Sequence, residues 1–531
     1  MNAEARGLGR REFLRDVSAG AAALTLPIAT VGADNAESAV KRPNILFILV
    51  DQLRMDCLGA YGNPDVKTPN IDRLAADGVR FNHSVCPYPA CTPSRYSLLC
   101  GLPVHAHRGW TNHSTLSAGI ETFPGILRRS GYRTKAVGKM HMTPTYLDVG
   151  FEDLVLSEQD GPGRWDDDYH RYLMARGLVD QNDLEDQRRE YRDKARATYW
   201  ETFGALVSNL EEQHHSTTWI GNESVETLKG WNAEGGSLLF ASFIKPHHPF
   251  DPPAPWSELY DPDALRLLPG WTEKCFEHDL NYNRGYFPND TLTEPALRRV
   301  MAYYYASISH IDHQVGRMLD YLQQAGLYED TLIVFTSDHG EYMGQHHLLL
   351  KANLMYDSLL KVPLILKWPG NVGAGSASDR LVNNLDLAPT LCHAASCTPA
   401  SGMRGGNLAD EREGPELVFA EANFGKQVTA RSRNRKLILV EDKERRLTMR
   451  LYFDLERDPA ELHNLYDDPA HQAEARGIEK KLLEWGAEGS RELFLNQEEK
   501  QVERPNVPPL DLSHRDKVIA YYRRKMEEAA G

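Results

Sequence analysis

Short apolar segments recur along the chain at intervals that fit strands alternating with helices. Residues 44–50, 238–244 and 331–335 are apolar on both alternating faces, as central strands of a parallel sheet must be. Residues 132–137 indicate a further strand, and residues 79–81 indicate a shorter one. Strands that alternate with helices predict an α/β fold, in which a mostly parallel sheet is covered on both faces.

Helices are predicted between these strands from capping residues and from apolar positions spaced three or four apart. One helix begins at Pro69 and ends before Gly78, and residues 122–130 form another. The longest helix stops at Gly326. One face of this helix is marked by Leu297, Val300, Tyr304, Ile308, Ile311, Val315, Met318 and Leu322.

The patterning divides the chain, whose 531 residues exceed one ordinary domain. Residues 42–400 carry the α/β pattern, and a charge-rich segment at about 151–235 is predicted to be an insertion over the strand ends. A polar, glycine-containing linker occupies 401–414. Residues 415–531 are predicted to form a small α+β domain, with strands at 417–419, 436–440 and 451–454 and a helix through Ile478, Leu482, Leu483 and Trp485.

The first 33 residues have the pattern of a twin-arginine signal peptide rather than of a folded segment. Arg10 and Arg11 precede a short apolar stretch at 17–31, and small residues suitable for cleavage follow it. The stretch is too short for a membrane helix, and Pro27 interrupts it. We therefore expect a bacterial protein without a membrane span, which the twin-arginine machinery exports to the periplasm or the medium.

The composition and net charge of the chain limit the kinds of molecule that it can bind. Charged residues make up 25% of the chain and apolar ones 41%, which is ordinary for a globular enzyme. The net charge of −15 argues against nucleic acid as a partner. The same charge would repel an anionic substrate at long range, so such a substrate requires a local cationic pocket.

Cysteines and histidines give no sign of a disulfide framework or of a zinc site. The seven cysteines are sparse and odd in number, so Cys392 and Cys397 either pair or remain free thiols. His105 and His107 have the spacing of a zinc pair, but no partner ligands recur at zinc-like intervals. We interpret both histidines as structural.

Titratable residues follow directly after the predicted strands. Asp51, Lys139, His247, Asp338 and His339 all lie at or just beyond the carboxyl ends of strands. Because ligands bind outside the carboxyl ends of strands in open α/β sheets, these side chains are candidates for one active site. Two of them, Asp51 and Asp338, supply the carboxylate oxygens that a hard divalent cation prefers.

The motif Cys-Thr-Pro-Ser-Arg at 91–95, followed by an apolar segment at 96–101, adds a candidate nucleophile. Together with the strand ends, this motif resembles that of the type I sulfatases, whose motif cysteine is oxidised to formylglycine. Further motifs of this family occur in the family's order, and the resemblance covers nearly the whole mature chain. They are Gly-Lys-Met-His at 138–141, His-His-Pro at 247–249, Gly-Gln-His at 344–346 before Lys351, and Asp-Pro-Ala-Glu-Leu-His-Asn-Leu at 458–465.

The resemblance implies an alkaline-phosphatase-like α/β/α sandwich with a smaller C-terminal domain. It also implies a Ca²⁺ or Mg²⁺ ion and a formylglycine at position 91. The metal ligands carried over from the family are Asp51, Gln52, Cys91, Asp338 and His339. The catalytic residues carried over are Cys91, Arg95, Lys139, His141, His247 and Lys351, of which Lys139, His247 and Lys351 also bind the substrate.

Two positions depart from the family's pattern. Gln52 stands where many sulfatases carry a second aspartate, which leaves the cation with less negative charge around it. Cys100 stands where the segment after the motif cysteine commonly has threonine, which bears on how efficiently Cys91 is converted.

The expected function is hydrolysis of a sulfuric ester in a sulfated glycan or a small sulfate ester, as in polysaccharide degradation. The motifs are most similar to those of iduronate-type and polysaccharide sulfatases. Conversion of Cys91 implies a formylglycine-generating or anaerobic sulfatase-maturating enzyme as a partner. Two alternatives stay open: a phosphonate or phosphate ester hydrolase, and a non-catalytic glycan-binding protein in which Cys91 is not converted.

Overall fold

The structure is a computed structural model that describes residues 42–159, 167–187, 192, 195–283, 285–410, 413–487, 520–521, 524–525 and 527–528. The expected signal peptide at 1–33 lies outside these residues. Within them, no helix is both long and apolar enough to cross a membrane.

Eight strands form the central sheet. They are β1 (Asn44–Val50), β2 (Val79–Val85), β3 (Arg133–Gly138), β4 (Asp153–Leu156), β5 (Ser237–Phe243), β6 (Thr331–Ser337), β7 (Leu364–Lys367) and β8 (Ser376–Asn383). Their order across the sheet is β4-β3-β5-β1-β6-β7-β2-β8. Strand β7 runs antiparallel to both of its neighbours, and the other pairs are parallel. The mostly parallel α/β sheet predicted from the sequence is confirmed.

The helices, in chain order, cover this sheet and the C-terminal sheet. They are α1 (Pro69–Asp77), α2 (Cys91–Cys100), α3 (Val104–His107), α4 (Phe123–Arg129), α5 (Asp168–Ala175), α6 (Gln181–Gln187), α7 (Ala197–Glu201), α8 (Ser216–Leu228), α9 (Glu277–Tyr282), α10 (Glu294–Gln324), α11 (Asp357–Leu360), α12 (Leu387–Ala394) and α13 (Gln472–Ala487).

Strand β1 shows how the sheet separates two hydrophobic cores. Its residue Ile48 packs in a cluster with α1, α8 and the long α10, which includes Ile308. The preceding side chain of the strand, Phe47, points to the opposite face, where α2, α4 and α12 form a second cluster. There Phe47 stacks on Phe240 of β5, with ring centroids 4.7 Å apart. Both faces are therefore buried, which is why the strand is apolar at every position after Asn44.

A separate antiparallel sheet forms the C-terminal part. Its strands are β9 (Val418–Ala422), β10 (Gln427–Arg431), β11 (Arg435–Glu441) and β12 (Leu447–Asp454), in the order β12-β11-β10-β9. Helix α13 packs on it through Leu482, which is fully buried with Leu437 and Tyr452. The predicted α+β character of this part is confirmed.

Parts of the fold differ from the predicted elements. The segment at 151–235 contributes β4 to the edge of the main sheet, and its helix α8 packs against β5 and α10. Strands β7, β8 and β10 were not predicted. All seven cysteines are free thiols, so Cys392 and Cys397 do not form a disulfide.

Candidate active site

Four neighbouring parallel strands bring their carboxyl ends to one edge of the sheet. In the order β3, β5, β1 and β6, they are followed by Lys139, His247, Asp51 and Asp338. Each of these side chains is at least 95% buried. The residues predicted from their positions after strands therefore share one edge of the sheet.

Cys91 is the first residue of α2, and its thiol is fully buried at the centre of the site. Its Sγ lies 3.3 Å from Lys351 Nζ, 3.3 Å from His339 Nε2, 3.6 Å from Asp51 Oδ1 and 3.9 Å from Lys139 Nζ. Burial and Asp51 raise the pKa of the thiol, but Lys139, Lys351 and His339 outweigh them and hold this pKa well below its ordinary value. The side chains around position 91 therefore favour a negatively charged nucleophile or ligand there.

Arg95 lies one helical turn after Cys91, so both side chains emerge on the same face of α2. Its Nε donates to Asp338 Oδ2 at 2.8 Å, and its second terminal nitrogen donates to Asp51 Oδ2 at 3.0 Å. Its remaining nitrogen donates to Ser242 Oγ and to the carbonyl of Lys139. Arg95 thus fixes both carboxylates through their Oδ2 atoms and leaves the two Oδ1 atoms facing the site.

The donor atoms at the centre fit a divalent cation. Ligand atoms of Asp51, Cys91, Asp338 and His339 all lie within 4.8 Å of one another. His339 Nδ1 lies 2.9 Å from the carbonyl of Gly340, so Nδ1 carries the proton and the lone pair of Nε2 faces the carboxylates. Two carboxylates and one imidazole suit a divalent cation.

Gln52 reaches the same centre with its amide oxygen. Lys351 Nζ donates to Gln52 Oε1 at 2.8 Å, and the amide nitrogen of Gln52 donates to Glu341. Glu341 is fully buried and also accepts from the backbone N–H groups of Met343 and Leu350. It therefore orients Gln52 and holds the loop that carries Lys351.

The second lysine near the thiol is Lys139, whose Nζ lies 3.9 Å from Cys91 Sγ. Lys139 Nζ forms an ion pair with Asp51 Oδ2 at 2.7 Å and donates to Gln159 Oε1 at 3.4 Å. Gln159 in turn donates to the carbonyl of His248. This chain of contacts connects the end of β3 to the histidines that follow β5.

His247 and His248 stack on each other, with ring centroids 4.3 Å apart. His247 Nδ1 lies 2.6 Å from the carbonyl of His248, which leaves the lone pair on Nε2. Burial, then Lys351 and Lys139, lower the pKa of His247 well below its ordinary value, so the ring is neutral at pH 7. His248 Nε2 lies 3.2 Å from Asp186 Oδ2 of α6, so the insertion contributes to this wall.

His141 is buried, and both of its ring nitrogens lack a hydrogen-bond partner among the described residues. Its backbone N–H donates to both carboxylate oxygens of Glu158 at 3.0 Å. Burial raises the pKa of Glu158 to about 7. The free nitrogens of His141 are available to a group bound in the site.

The remaining two histidines singled out from the sequence lie elsewhere. His105 Nδ1 pairs with Glu421 Oε1 at 3.0 Å, and His107 Nε2 bonds with Ser97 Oγ at 2.8 Å. Neither belongs to a group of potential metal ligands among the described residues. The structural interpretation of both agrees with these contacts.

Several residues of the site were not predicted from the sequence. Glu341 could have been predicted from the sequence, since it follows His339 by two positions after the same strand. Gln159, Glu158 and Asp186 lie in or beside the insertion and have no motif around them. Their roles depend on how distant segments fold together.

An α/β/α sandwich whose strand ends surround a buried cysteine with carboxylates and lysines defines an enzyme of the alkaline-phosphatase-like class. The chain belongs to the sulfatase family, whose model matches residues 43–397. A second family model, N-sulphoglucosamine sulphohydrolase C-terminal, matches residues 344–488. The protein is a sulfatase enzyme, as predicted.

Individual relatives agree with this assignment. The arylsulfatase of Clostridium perfringens is 31% identical over 463 residues, which cover 83% of this chain and 94% of the relative. The N-acetylglucosamine-6-O-sulfatase of Bacteroides thetaiotaomicron is 26% identical over 516 residues, which cover 87% of this chain and 89% of the relative. The phosphonate monoester hydrolase of Agrobacterium radiobacter superposes with a TM-score of 0.68 at 26% identity, covering 84% of this chain and 96% of that one.

Proposed function

We propose that the protein hydrolyses a sulfuric ester of a carbohydrate and releases inorganic sulfate, with a formylglycine derived from Cys91. The observation that carries this proposal is the environment of Cys91. Its thiol lies at the first position of α2, 3.9 Å from Lys139 Nζ, 3.3 Å from Lys351 Nζ and 3.6 Å from Asp51 Oδ1. A nucleophile at this point meets a tetrahedral anion that the two lysines bind.

A hydrated formylglycine at position 91 would supply two hydroxyls on one carbon: one to displace the alcohol from sulfur, and one whose deprotonation would restore the aldehyde and release sulfate. Arg95 positions the carboxylates beside this group. Lys139 and Lys351 hold the sulfate oxygens and stabilise the charge that develops on them. The free ring nitrogens of His141 make it the candidate base for the second hydroxyl.

Asp51, Asp338 and His339 are the residues that would hold a divalent cation, with Gln52 and position 91 completing the set. Such a cation lowers the repulsion between an anionic nucleophile and an anionic ester. Ca²⁺ and Mg²⁺ both take oxygen ligands, and Gln52 supplies an uncharged one.

His247 or Lys351 is the candidate acid that protonates the departing oxygen. Lys351 carries ammonium protons and lies 3.3 Å from the Cys91 thiol. His247 presents the lone pair of Nε2 when neutral, so it serves as an acid only after the bound anion favours its protonation. Both side chains lie at the same end of the sheet.

A carbohydrate substrate is supported by the relative from Bacteroides thetaiotaomicron, whose name specifies an N-acetylglucosamine 6-O-sulfate. We also propose export by the twin-arginine machinery and maturation of Cys91 by a formylglycine-generating or anaerobic sulfatase-maturating enzyme. The proposed domain boundaries are 42–400 and 415–531, and the match of the sulfatase model to 43–397 supports the first.

The second candidate is a phosphonate or phosphate ester hydrolase. It is favoured by the similarity to the phosphonate monoester hydrolase at 26% identity. Sulfate and phosphonate monoesters share a tetrahedral shape and a single negative charge. The cationic site described above therefore binds either group.

Two measurements test the proposal. Mass spectrometry of the Cys91 peptide, from protein produced together with a maturating enzyme, should show loss of sulfur and gain of an aldehyde oxygen, while the Cys397 peptide keeps its thiol. Kinetics should then compare an aryl sulfate and an aryl phosphonate monoester of the same phenol, followed by a panel of sulfated sugars. Preferred turnover of the phosphonate would support the second candidate, and an unconverted Cys91 with no hydrolysis would contradict both.

A further inference from the structure

A second group of potential metal ligands lies outside the centre around Cys91. His278 and Asp279 are in the first turn of α9, and His346 is on the loop after β6. Ligand atoms of the three residues all lie within 4.8 Å of one another. Asp279 Oδ2 is 3.4 Å from His346 Nδ1 and 3.8 Å from His278 Nε2. We call these three residues the α9 cluster.

The hydrogen bonds of His346 determine which of its nitrogens carries the proton. Its Nε2 lies 3.0 Å from the carbonyl oxygen of Ala460, and a carbonyl can only accept. Nε2 therefore carries the proton, and Nδ1 of the neutral ring presents a lone pair to Asp279 Oδ2. Both of these atoms are buried, and neither has a hydrogen-bond partner within the described part of the chain.

Two unpartnered acceptors that face each other in a buried place repel unless a cation lies between them. Tyr356 does not fill this role, since its hydroxyl donates to the other carboxylate oxygen, Asp279 Oδ1, at 2.9 Å. The same hydroxyl is 3.0 Å from His278 Nε2 and accepts from this nitrogen when it carries the proton. In the tautomer with the proton on Nδ1, the lone pair of His278 Nε2 binds a cation in place of this hydrogen bond.

The rings of the α9 cluster are held in place by aromatic packing. Phe276 stacks on His278 with centroids 5.4 Å apart and contacts His346 edge-on at 4.8 Å. Tyr356 covers His346 at 4.1 Å. The side chain of His278 is 35% exposed, so an ion and a water molecule can reach the cluster from solvent.

We propose that the α9 cluster binds a divalent transition metal of the zinc class, through two imidazole nitrogens and one carboxylate oxygen. Tetrahedral coordination with bonds of about 2.0–2.2 Å places ligand atoms about 3.3–3.6 Å apart, close to the spacings of the α9 cluster. Nitrogen donors favour zinc over calcium or magnesium, which prefer all-oxygen sites. Water is the fourth ligand, on the exposed side of His278.

The position of the α9 cluster gives the ion a structural consequence. His346 precedes Lys351 by five residues on the same loop, and Asn353 of that loop donates to the backbone carbonyls of Asp279 and Asn283. An ion at the α9 cluster therefore fastens the segment around α9 to the loop that carries Lys351. Removal of the ion should loosen this loop and, with it, the position of Lys351 beside Cys91.

The test compares zinc binding in the parent protein and in His278→Ala, after both have been stripped with a chelator. The parent should bind one more Zn²⁺ per chain than the variant, and its thermal midpoint should rise by a few degrees more when Zn²⁺ is added. Because both proteins keep the same residues at Cys91, the difference isolates the α9 cluster. Asp279→Asn keeps an acceptor for Tyr356 but loses the charge, so it should lose the same Zn²⁺.

His393→Ala is the matched control, because His393 is an exposed histidine on α12 and lies outside the α9 cluster. It should bind as much Zn²⁺ as the parent. Equal zinc content in the parent and in folded His278→Ala would overturn the proposal and leave a proton between Asp279 and His346. If either variant fails to fold, zinc-soaked crystals of the parent decide: anomalous density between Asp279 Oδ2 and His346 Nδ1 supports the site, and its absence at saturating Zn²⁺ overturns it.

Discussion

At the scale of single residues, the site balances four buried charges against each other. Asp51 forms ion pairs with both Arg95 and Lys139, and Asp338 forms one with Arg95. Lys351 lies beside Gln52, the ring of His339 and the thiol of Cys91. An anion bound beside Cys91 would complete this balance, because Lys351 contacts no carboxylate among the described residues.

The nucleophile is tested by Cys91→Ser. We expect this variant to react with an activated aryl sulfate at most once per chain, because a serine sulfate has no second hydroxyl with which to expel the sulfate. Mass spectrometry of the peptide containing position 91 should show the sulfated serine, and product release should stop after one equivalent. Cys397→Ser, which changes a thiol far along the sequence, should turn over like the parent. Repeated turnover of Cys91→Ser at the parent rate would contradict the proposed mechanism.

The leaving-group role is tested by His247→Ala with two substrates. General acid assistance contributes about 10²- to 10⁴-fold in rate and matters most when the leaving group is poor. The variant should therefore lose much more kcat on a sugar sulfate than on an activated aryl sulfate. Lys351→Ala, measured in parallel, decides between the two candidate acids, since the acid is the residue whose loss depends on the leaving group. Equal losses on both substrates for both variants would mean that neither acts as the acid.

At the scale of elements, burial explains why the central strands were predicted from the sequence and why two other strands were missed. Strands β1, β5 and β6 are buried at every position, so their sequences are nearly all apolar. Strand β8 begins with exposed residues, and β10 contains Gln427 and Arg431, which are buried through polar contacts. Polar residues that are satisfied by tertiary partners give no periodic signal, and these strands were missed.

The same reasoning explains why some residues of the site were predicted from the sequence and others were missed. Asp51 and Asp338 follow apolar strands directly, and the position alone placed them at the ligand-binding edge. Asp186 reaches His248 from α6, and no local pattern indicates which helix of an insertion contacts the site. Cys91 begins α2, so the motif at 91–95 forms the first turn of this helix.

Helix α1 provides a prediction at this scale, because its N-terminus is capped by another helix. Thr68 makes no side-chain cap, and Asp312 of α10 accepts instead from the backbone N–H groups of Asn70 at 3.0 Å and Ile71 at 2.7 Å. Asp312→Asn should cost about 1 kcal/mol of the free energy of unfolding at pH 7, since an amide offers one acceptor oxygen fewer. Urea denaturation measures this difference.

The pH dependence of this difference has a definite sign. Burial raises the pKa of Asp312 to about 6, above its unfolded value of about 3.9. The folded protein therefore holds this proton more tightly, so the parent is stabilised as the pH falls from about 6 towards about 4. Asp312→Asn lacks this carboxyl group. Its free energy of unfolding should therefore fall further below that of the parent near pH 4.5 than at pH 7. Asp320→Asn, in an exposed pair with Arg73 on the same two helices, should show neither effect.

At the scale of the whole molecule, the cations that converge at Cys91 are opposite in sign to the net charge of the chain. The chain carries −15, yet Arg95, Lys139 and Lys351 converge at Cys91. Long-range repulsion of an anionic substrate is screened beyond about 8 Å at physiological salt, while the lysines act at contact distance. Binding of an anion is therefore a local property of the strand ends and does not require a basic surface.

The junction between the main sheet and the C-terminal sheet is held by a cluster of buried charges. Asp357, the first residue of α11, pairs with Arg431 of β10 at 2.8 Å and with Lys436 of β11 at 3.0 Å. Lys436 also pairs with Glu461 at 2.7 Å and is fully buried. One carboxylate from the catalytic part thus neutralises two cations of the C-terminal part.

Asp357→Asn should lower the free energy of unfolding by about 3–5 kcal/mol at pH 7, since it leaves the buried Arg431 without its counter-charge and Lys436 with Glu461 alone. Burial raises the pKa of Asp357, but Arg431 and Lys436 outweigh it and hold this pKa well below its usual range. A lowered pKa means that the stabilisation is complete above the unfolded value of about 3.9 and is lost as the pH falls below it. The deficit of the variant should therefore be constant from neutral pH to about pH 5 and should shrink in stronger acid. Glu444→Gln, which removes an exposed partner of Arg446 in the same sheet, is the control and should cost less than about 1 kcal/mol. A deficit for Asp357→Asn as small as that of the control, measured by urea denaturation at pH 7, would show that the two sheets do not depend on this cluster.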